Sequence, residues 1–126
     1  MTKKNPPTLT RRSLPPEVRL SVKTGLDKKA EDIIVLDLRD ISSFTDFFVI
    51  MAGNSNRQNT AIYESIEQEL KKSRVMPIGV EGREQAEWIL IDYGSFVIHV
   101  FSKQARSYYS LEKLWGDAPR LSFAGP

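Results

Sequence analysis

The chain has 126 residues, of which 40% are apolar, so it can bury one hydrophobic core but is too short for two domains. It contains no cysteine, which excludes disulfide bonds and thiolate metal sites, and no apolar run approaches the roughly 18 residues that a membrane-spanning helix needs. Residues 1–30 hold eight Lys or Arg and two Asp or Glu, a net charge of +6, whereas residues 31–126 hold ten and fourteen, a net charge of −4. This acidic part favours a basic protein partner over a nucleic-acid backbone, unless its charges are only a solvated surface.

Residues 1–16 are predicted to form a disordered tail. The segment is rich in proline, poor in apolar residues and basic through Lys3, Lys4, Arg11 and Arg12. The lack of acidic residues is also typical of organelle transit peptides, although the segment is short for one. No secretory signal is present, so we expect a cytoplasmic protein whose single domain spans residues 17–118 and is followed by a tail at 119–126.

A helix, two strands and a second helix are predicted next. Residues 16–29 place Val18, Val22 and Leu26 at fourfold spacing, which predicts a helix. The apolar runs 33–38 and 47–52 predict buried strands. Gly53, Asn54 and Ser55 then offer cap side chains to a helix that extends to about Ser73, with an apolar stripe formed by Ile62, Ile66 and Leu70.

A short strand at residues 77–81 is followed by a predicted hairpin of strands 86–92 and 95–101. Tyr93 and Gly94 form a two-residue loop, which pairs Asp92 with Ser95, Leu90 with Val97, and Trp88 with His99. Strand alternation sorts the side chains into two faces. The core face carries Ile89, Ile91, Phe96, Ile98 and Val100, and the other face carries Trp88, Leu90, Asp92, Ser95, Val97 and His99.

A last helix at residues 104–115 is predicted to end at Gly116. The order of elements favours an α/β fold of the α+β-like kind, with a single mixed sheet of about five strands and helices mainly on one face. The second face of the sheet would then be at least partly bare.

The residue patterns argue against a catalytic site. His99 is the only histidine, too few for a zinc site without suitable carboxylates, and it lies far from the serines of residues 42–46. Gly53, Asn54 and Ser55 resemble the turn of nucleotidyltransferases, but no Asp-x-Asp pair exists to hold magnesium. An N-cap is the simpler interpretation of that turn, and we expect no catalytic residue, cofactor or metal.

Trp88 and Leu90 are the strongest candidates for function. A cover over this face, such as the first helix, would make Trp88 a core residue. If nothing covers this face, its apolar patch bordered by Asp92 and His99 would be a partner-binding site, because tryptophan is enriched among interface hot spots.

At this point the sequence resembles the ribosomal silencing factor (Iojap-like) family. The resemblance covers about residues 20 to 118 and rests on segments 42–50 (SSFTDFFVI), 53–58 (GNSNRQ), 77–82 (PIGVEG), 86–88 (AEW), 92–94 (DYG), 97–101 (VIHVF), Arg106, 108–109, 111–115 and 117–118. With the matches between Arg106 and residue 118 counted as one motif, there are seven; each is weak alone, but the seven in order are highly specific. Ser95 departs from the family pattern, which often has an acidic residue there.

The resemblance implies a fold similar to that of nucleotidyltransferases but without their catalytic carboxylates. It implies binding to the large ribosomal subunit through ribosomal protein uL-fourteen, which blocks joining of the small subunit and represses translation when nutrients are scarce. Members can form homodimers, and their binding surface includes the sheet around the tryptophan. The implied contact residues here are Trp88, Leu90, Asp92, Glu81, His99 and Val97. The basic tail is a candidate for peripheral contact with ribosomal RNA. A large-subunit assembly factor and a nucleotidyltransferase-like enzyme are the alternatives.

Overall fold

The computed structural model describes residues 9–123, which form four helices and six strands. In chain order the elements are α1 (Pro16–Asp27), β1 (Glu31–Asp37), β2 (Phe47–Gly53), α2 (Asn56–Lys72), β3 (Gly79–Glu81), β4 (Trp88–Asp92), β5 (Phe96–Ser102), α3 (Lys103–Tyr109), α4 (Leu111–Leu114) and β6 (Arg120–Phe123). No helix in this part of the chain is long and apolar enough to cross a membrane.

The six strands form one mixed sheet in the order β3-β4-β5-β2-β1-β6. Only the central pair, β2 with β5, runs parallel, and every other neighbouring pair is antiparallel. All seven residues of β2 are buried, as expected for a central strand that is covered on both faces. The predicted fold class is confirmed, with six strands in place of about five.

The two faces of the sheet carry separate hydrophobic layers. On the first face, α1 and α2 pack on Ile33, Val49, Ile98 and their neighbours, and the predicted stripe of α2 is fully buried there. On the second face, α3 and α4 cover the layer around Leu36 and Phe101. Since α3 and α4 have seven and four residues, they shield only part of the second face.

The hairpin has the predicted faces but a different register. The pairs are Trp88 with Phe101, Leu90 with His99, and Asp92 with Val97, two residues away from the predicted pairing. The loop is therefore not Tyr93-Gly94 but Gly94-Ser95, closed by the amide of Tyr93, which donates to the carbonyl of Phe96 over 2.9 Å. Gly94 has a φ of +86°, which glycine adopts without strain.

The last predicted helix is broken, and it does not end at Gly116. Ser110 separates α3 from α4 in a left-handed conformation, with φ 47° and ψ 54°, and α4 ends at Leu114. The chain then returns to the sheet, where β6 pairs antiparallel with β1 as an edge strand. The prediction of a C-terminal tail was therefore wrong for residues 120–123, and Phe123 is 7% exposed in the core.

The described part of the predicted N-terminal tail also contacts the domain. Leu14 is 2% exposed and belongs to the core of the first face, and Leu9 packs against the same layer. The guanidinium of Arg11 lies 4.7 Å from the centre of the Phe123 ring. Residues 9–16 are thus not a tail in the sense predicted, while residues 1–8 lie outside the described residues.

Candidate partner-binding site

Strands β3, β4 and β5 bring the six predicted contact residues to one end of the sheet. Glu81 pairs with Leu90, and Leu90 pairs with His99, so these three form one row across the strands. The neighbouring row contains the pair Asp92 and Val97. Trp88 precedes Leu90 by two residues on β4, and it therefore projects from the same face as both rows.

These residues differ in exposure, and the difference gives them different positions in the site. Glu81 is exposed, while Trp88, Leu90 and Asp92 are partly exposed. Val97 and His99 are 7% and 3% exposed. The last two lie beneath the surface that a partner would first meet, so they form the floor of the site.

Trp88 is held in place by aromatic neighbours and one hydrogen bond. Its ring centre lies 4.9 Å from that of Phe101 and 4.6 Å from that of Tyr109. Its indole Nε1 donates to Nδ1 of His99 over 3.0 Å. The tryptophan is therefore oriented before any partner arrives, which lowers the entropy lost on binding.

The bond to Trp88 determines the protonation state of His99. An Nδ1 that accepts a hydrogen bond carries no proton, so the neutral ring carries its hydrogen on Nε2. Burial lowers the pKa of His99 to about 3, which keeps the imidazole neutral at physiological pH. Phe48 stands edge-on to the imidazole with ring centres 4.5 Å apart.

A pocket of about 410 Å³ opens above this floor. Its lining combines apolar and aromatic walls with two carboxylates and consists of Phe44, Phe48, Ile78, Glu81, Leu90, Asp92, Gly94, Val97 and His99. Phe44 is 64% exposed and Ile78 is 74% exposed, which is unusual for side chains of this size. Neither residue is among the six predicted contact residues. Phe44 lies within a segment that resembles the family (residues 42–50), but its loop position gives no alternation from which to infer a face.

The broken C-terminal helix extends the aromatic surface beyond the pocket. Trp115, which caps α4, lies 6.0 Å from Phe48 and 6.3 Å from Phe44 between ring centres. On the far side of Trp88, Tyr108 is 80% exposed and borders a second pocket of about 420 Å³. We call this continuous set the aromatic face; it consists of Phe44, Phe48, Ile78, Trp88, Leu90, Tyr108, Tyr109 and Trp115.

The turn before α2 is a helix cap. The Ser55 hydroxyl accepts from the amide of Gln58 over 3.0 Å, and the side chain of Gln58 accepts from the amide of Asn54 over 2.6 Å. The Asn54 side chain donates to the carboxylate of Glu31. The side chains thus satisfy two amides that a phosphate would need, and a carboxylate lies beside the turn, which disfavours anion binding.

Possible metal ligands are not clustered in the part of the chain that the structure describes. Within residues 9–123, no group of three or more His, Asp or Glu side chains is placed to hold a metal ion. The buried Asp37 is bound by Arg39 through two contacts of 2.9 and 2.7 Å, an arrangement that stabilises the start of the loop after β1.

Comparisons with known proteins show which proteins the chain is similar to. Residues 11–125 match the family described as "Ribosomal silencing factor during starvation". The chain is 44% identical over 108 residues to the ribosomal silencing factor of Halalkalibacterium halodurans, a match that covers 86% of this chain and 92% of the relative. It is 36% identical over 91 residues to "Mitochondrial assembly of ribosomal large subunit protein 1" of Mus musculus, covering 70% of this chain and 40% of that protein. The crystal structure of a Chromobacterium violaceum protein superimposes with a TM-score of 0.77 at 38% identity, covering 79% of this chain and 83% of that one.

Proposed function

Because the chain belongs to the ribosomal silencing factor family, we propose that it binds the large ribosomal subunit and prevents the small subunit from joining. The proposed contact is ribosomal protein uL-fourteen, and the proposed outcome is repression of translation under nutrient limitation. The role is regulatory and not catalytic, and it is carried out in the cytoplasm.

The aromatic face is the observation that carries this proposal. It combines a preoriented tryptophan with exposed Phe44 and Ile78, and Glu81 and Asp92 stand at its border. Protein interfaces of this kind have an apolar anchor at the centre and polar contacts at the rim. A basic surface is the expected partner, because residues 31–126 carry a net charge of −4 and both rim side chains are acidic.

Steric exclusion is sufficient as a mechanism. A domain of 14.4 kDa is on the order of 30 Å across by the usual scaling of size with length. A body of that width bound to the joining surface of the large subunit occupies space that a docked small subunit needs. No covalent step, cofactor or metal is required.

Assembly of the large subunit is the second candidate function. It is favoured by the printed name of the mouse relative, which concerns assembly of the mitochondrial large subunit. Binding to the same subunit serves both functions, so the two differ in timing. A maturation defect of large subunits in growing cells that lack the protein supports assembly, whereas loss of survival only in starvation supports silencing.

Cosedimentation tests the proposed function directly. The full chain is mixed with separated large or small bacterial ribosomal subunits and centrifuged through sucrose. We expect it to travel with large subunits alone and to reduce the yield of joined ribosomes in proportion to its occupancy. A chain that travels with neither subunit, or that binds large subunits without reducing joining, contradicts the proposal.

A further inference from the structure

His99 holds an unused hydrogen-bond donor at the floor of the candidate site. Its Nδ1 accepts from Trp88, so the hydrogen of the neutral ring lies on Nε2. Nε2 is buried and has no hydrogen-bond partner within residues 9–123. A buried donor without a partner is destabilising by about the free energy of desolvating it, and native structures rarely retain one without a reason.

The surroundings of this imidazole limit what can bind it. His99 lines the pocket of about 410 Å³, whose apolar lining includes Phe44, Ile78 and Leu90. Glu81 and Asp92 are the charged residues of the lining, and no Lys or Arg is among the described lining residues. A partner carboxylate would enter a pocket that already contains two negative groups, so it is disfavoured. A partner ammonium is also disfavoured at the floor, because Nε2–H donates and cannot accept.

We infer that the pocket receives a neutral carbonyl oxygen of the partner protein, from the main chain or from an Asn or Gln side chain, which accepts a hydrogen bond from Nε2–H of His99. The inference rests on the proposed function and deepens it, since it names the group that the ribosomal protein presents at this site. Basic side chains of the same partner surface would meet Glu81 and Asp92 at the rim. Trp88 supplies the apolar contact area, and His99 supplies discrimination, because a surface without an acceptor here leaves the donor buried and unpaired.

Two substitutions of His99 test the roles of its two ring nitrogens separately. His99→Asn places an amide oxygen near the position of Nδ1, where it can still accept from Trp88, but it has no group at the position of Nε2. His99→Gln reaches the position of Nε2 with an N–H donor and releases the Nε1 of Trp88, a partly exposed residue. Both variants are compared by circular dichroism and then titrated against purified large ribosomal subunits.

We expect His99→Gln, which keeps a donor at the position of Nε2 but loses the bond to Trp88, to bind large subunits more tightly than His99→Asn. His99→Asn should bind roughly 5- to 150-fold more weakly, the range for a buried acceptor left without its donor. Equal binding by His99→Asn and the unaltered chain overturns the inference, and so does an equal loss in both variants. In either case the proposed function stands if the unaltered chain binds. Failure of the unaltered chain to bind large subunits overturns both.

A measurement on the unaltered chain keeps the inference testable if either variant misfolds. His99 is the only histidine, so a chain labelled with ¹⁵N-histidine gives one imidazole signal set. We expect the Nε2–H proton to be present in the free chain and to shift downfield when isolated uL-fourteen is added, as expected for a new hydrogen bond. An Nε2–H signal that stays unchanged in a saturated complex overturns the inference.

Discussion

The ring centres of Trp88 and Tyr109 lie 4.6 Å apart, and this contact joins strand β4 to helix α3 on the second face of the sheet. The tryptophan thus contacts the domain on one side and remains partly exposed on the other. Both properties bear on whether its loss would affect folding, binding or both.

Trp88→Ala should fold but lose binding. Partial exposure limits the stability cost, whereas truncating a central interface anchor typically weakens binding by about 2–4 kcal/mol, or roughly 30- to 1,000-fold. Circular dichroism beside a subunit-joining assay separates the two effects. Ile66→Val is the matched control, because it trims the opposite, fully buried layer and should lower stability by about 1 kcal/mol without affecting binding. A folded Trp88→Ala chain that still blocks joining removes the aromatic face from the mechanism.

Phe44→Ala and Ile78→Ala should weaken large-subunit binding with little change in stability. Both side chains are mostly exposed in the free protein, so truncation removes few contacts within the fold. Each is expected to lower affinity by about 1 kcal/mol or more if it is buried by a partner. Met76→Ala is the control, since Met76 is 56% exposed but does not line the pocket. Equal affinities for all three variants would place the partner elsewhere.

Stability should fall as the pH is lowered from 7 towards 5, and His99 should account for much of the change. The pKa of His99 is about 3 in the folded chain and about 6.5 when exposed. Between these values the unfolded chain binds a proton that the folded chain does not, so acid favours unfolding. At pH 5 the expected loss is about 2 kcal/mol. Urea unfolding at both pH values measures it, and His99→Gln should show a clearly smaller change.

Phe123→Ala should destabilise the fold by about 3 kcal/mol. The side chain is buried, and its strand closes the outer edge of β1. Ser122→Ala is the control, because it leaves the backbone pairing of β6 in place and alters only an exposed side chain. Thermal unfolding compares them. Equal midpoints would show that β6 is not packed in solution.

Leu14→Ala should lower the free energy of unfolding by about 2–4 kcal/mol, because Leu14 is 2% exposed in the core of the first face. Arg12→Ala, which changes an exposed residue of the same turn, should leave stability within about 0.5 kcal/mol. Denaturant unfolding decides the comparison. A Leu14→Ala chain as stable as the unaltered one would contradict this packing and agree with the predicted disordered tail.

The sequence predicted the faces of the hairpin but not its register. Alternation assigns Ile89 and Ile98 to the core in any register that shifts by two residues, so burial cannot distinguish those registers. Contacts within the turn favour the observed register instead. Asp92 Oδ1 accepts from the amide of Gly94 over 2.8 Å, and the rings of Tyr93 and Phe96 stack with centres 4.8 Å apart. Neither contact follows from periodicity.

The short strand β6 and the break in the last helix were not predicted, because neither produces a periodic pattern in the sequence. β6 has four residues with one buried side chain, too few for a periodic signal, and its place depends on the exposed edge of β1. Ser110 breaks the last helix although its flanks contain neither glycine nor proline. In the candidate site, the sequence placed Trp88 and His99 on one face of the hairpin. It could not show that His99 is buried below the surface of that face.

The parallel pairing of β2 with β5 constrains the order in which parts of the chain can fold. During synthesis, β2 emerges as seven consecutive buried-type residues whose neighbour β5 lies well downstream, after α2 and the first hairpin strand. The outer edge of β1 stays open longer still, because its partner β6 at residues 120–123 follows β5 in the chain. A nascent or truncated chain therefore exposes an apolar strand and an unpaired edge, both of which favour aggregation. Pairing between segments so far apart in the chain also predicts slower folding than in a helical bundle of equal length.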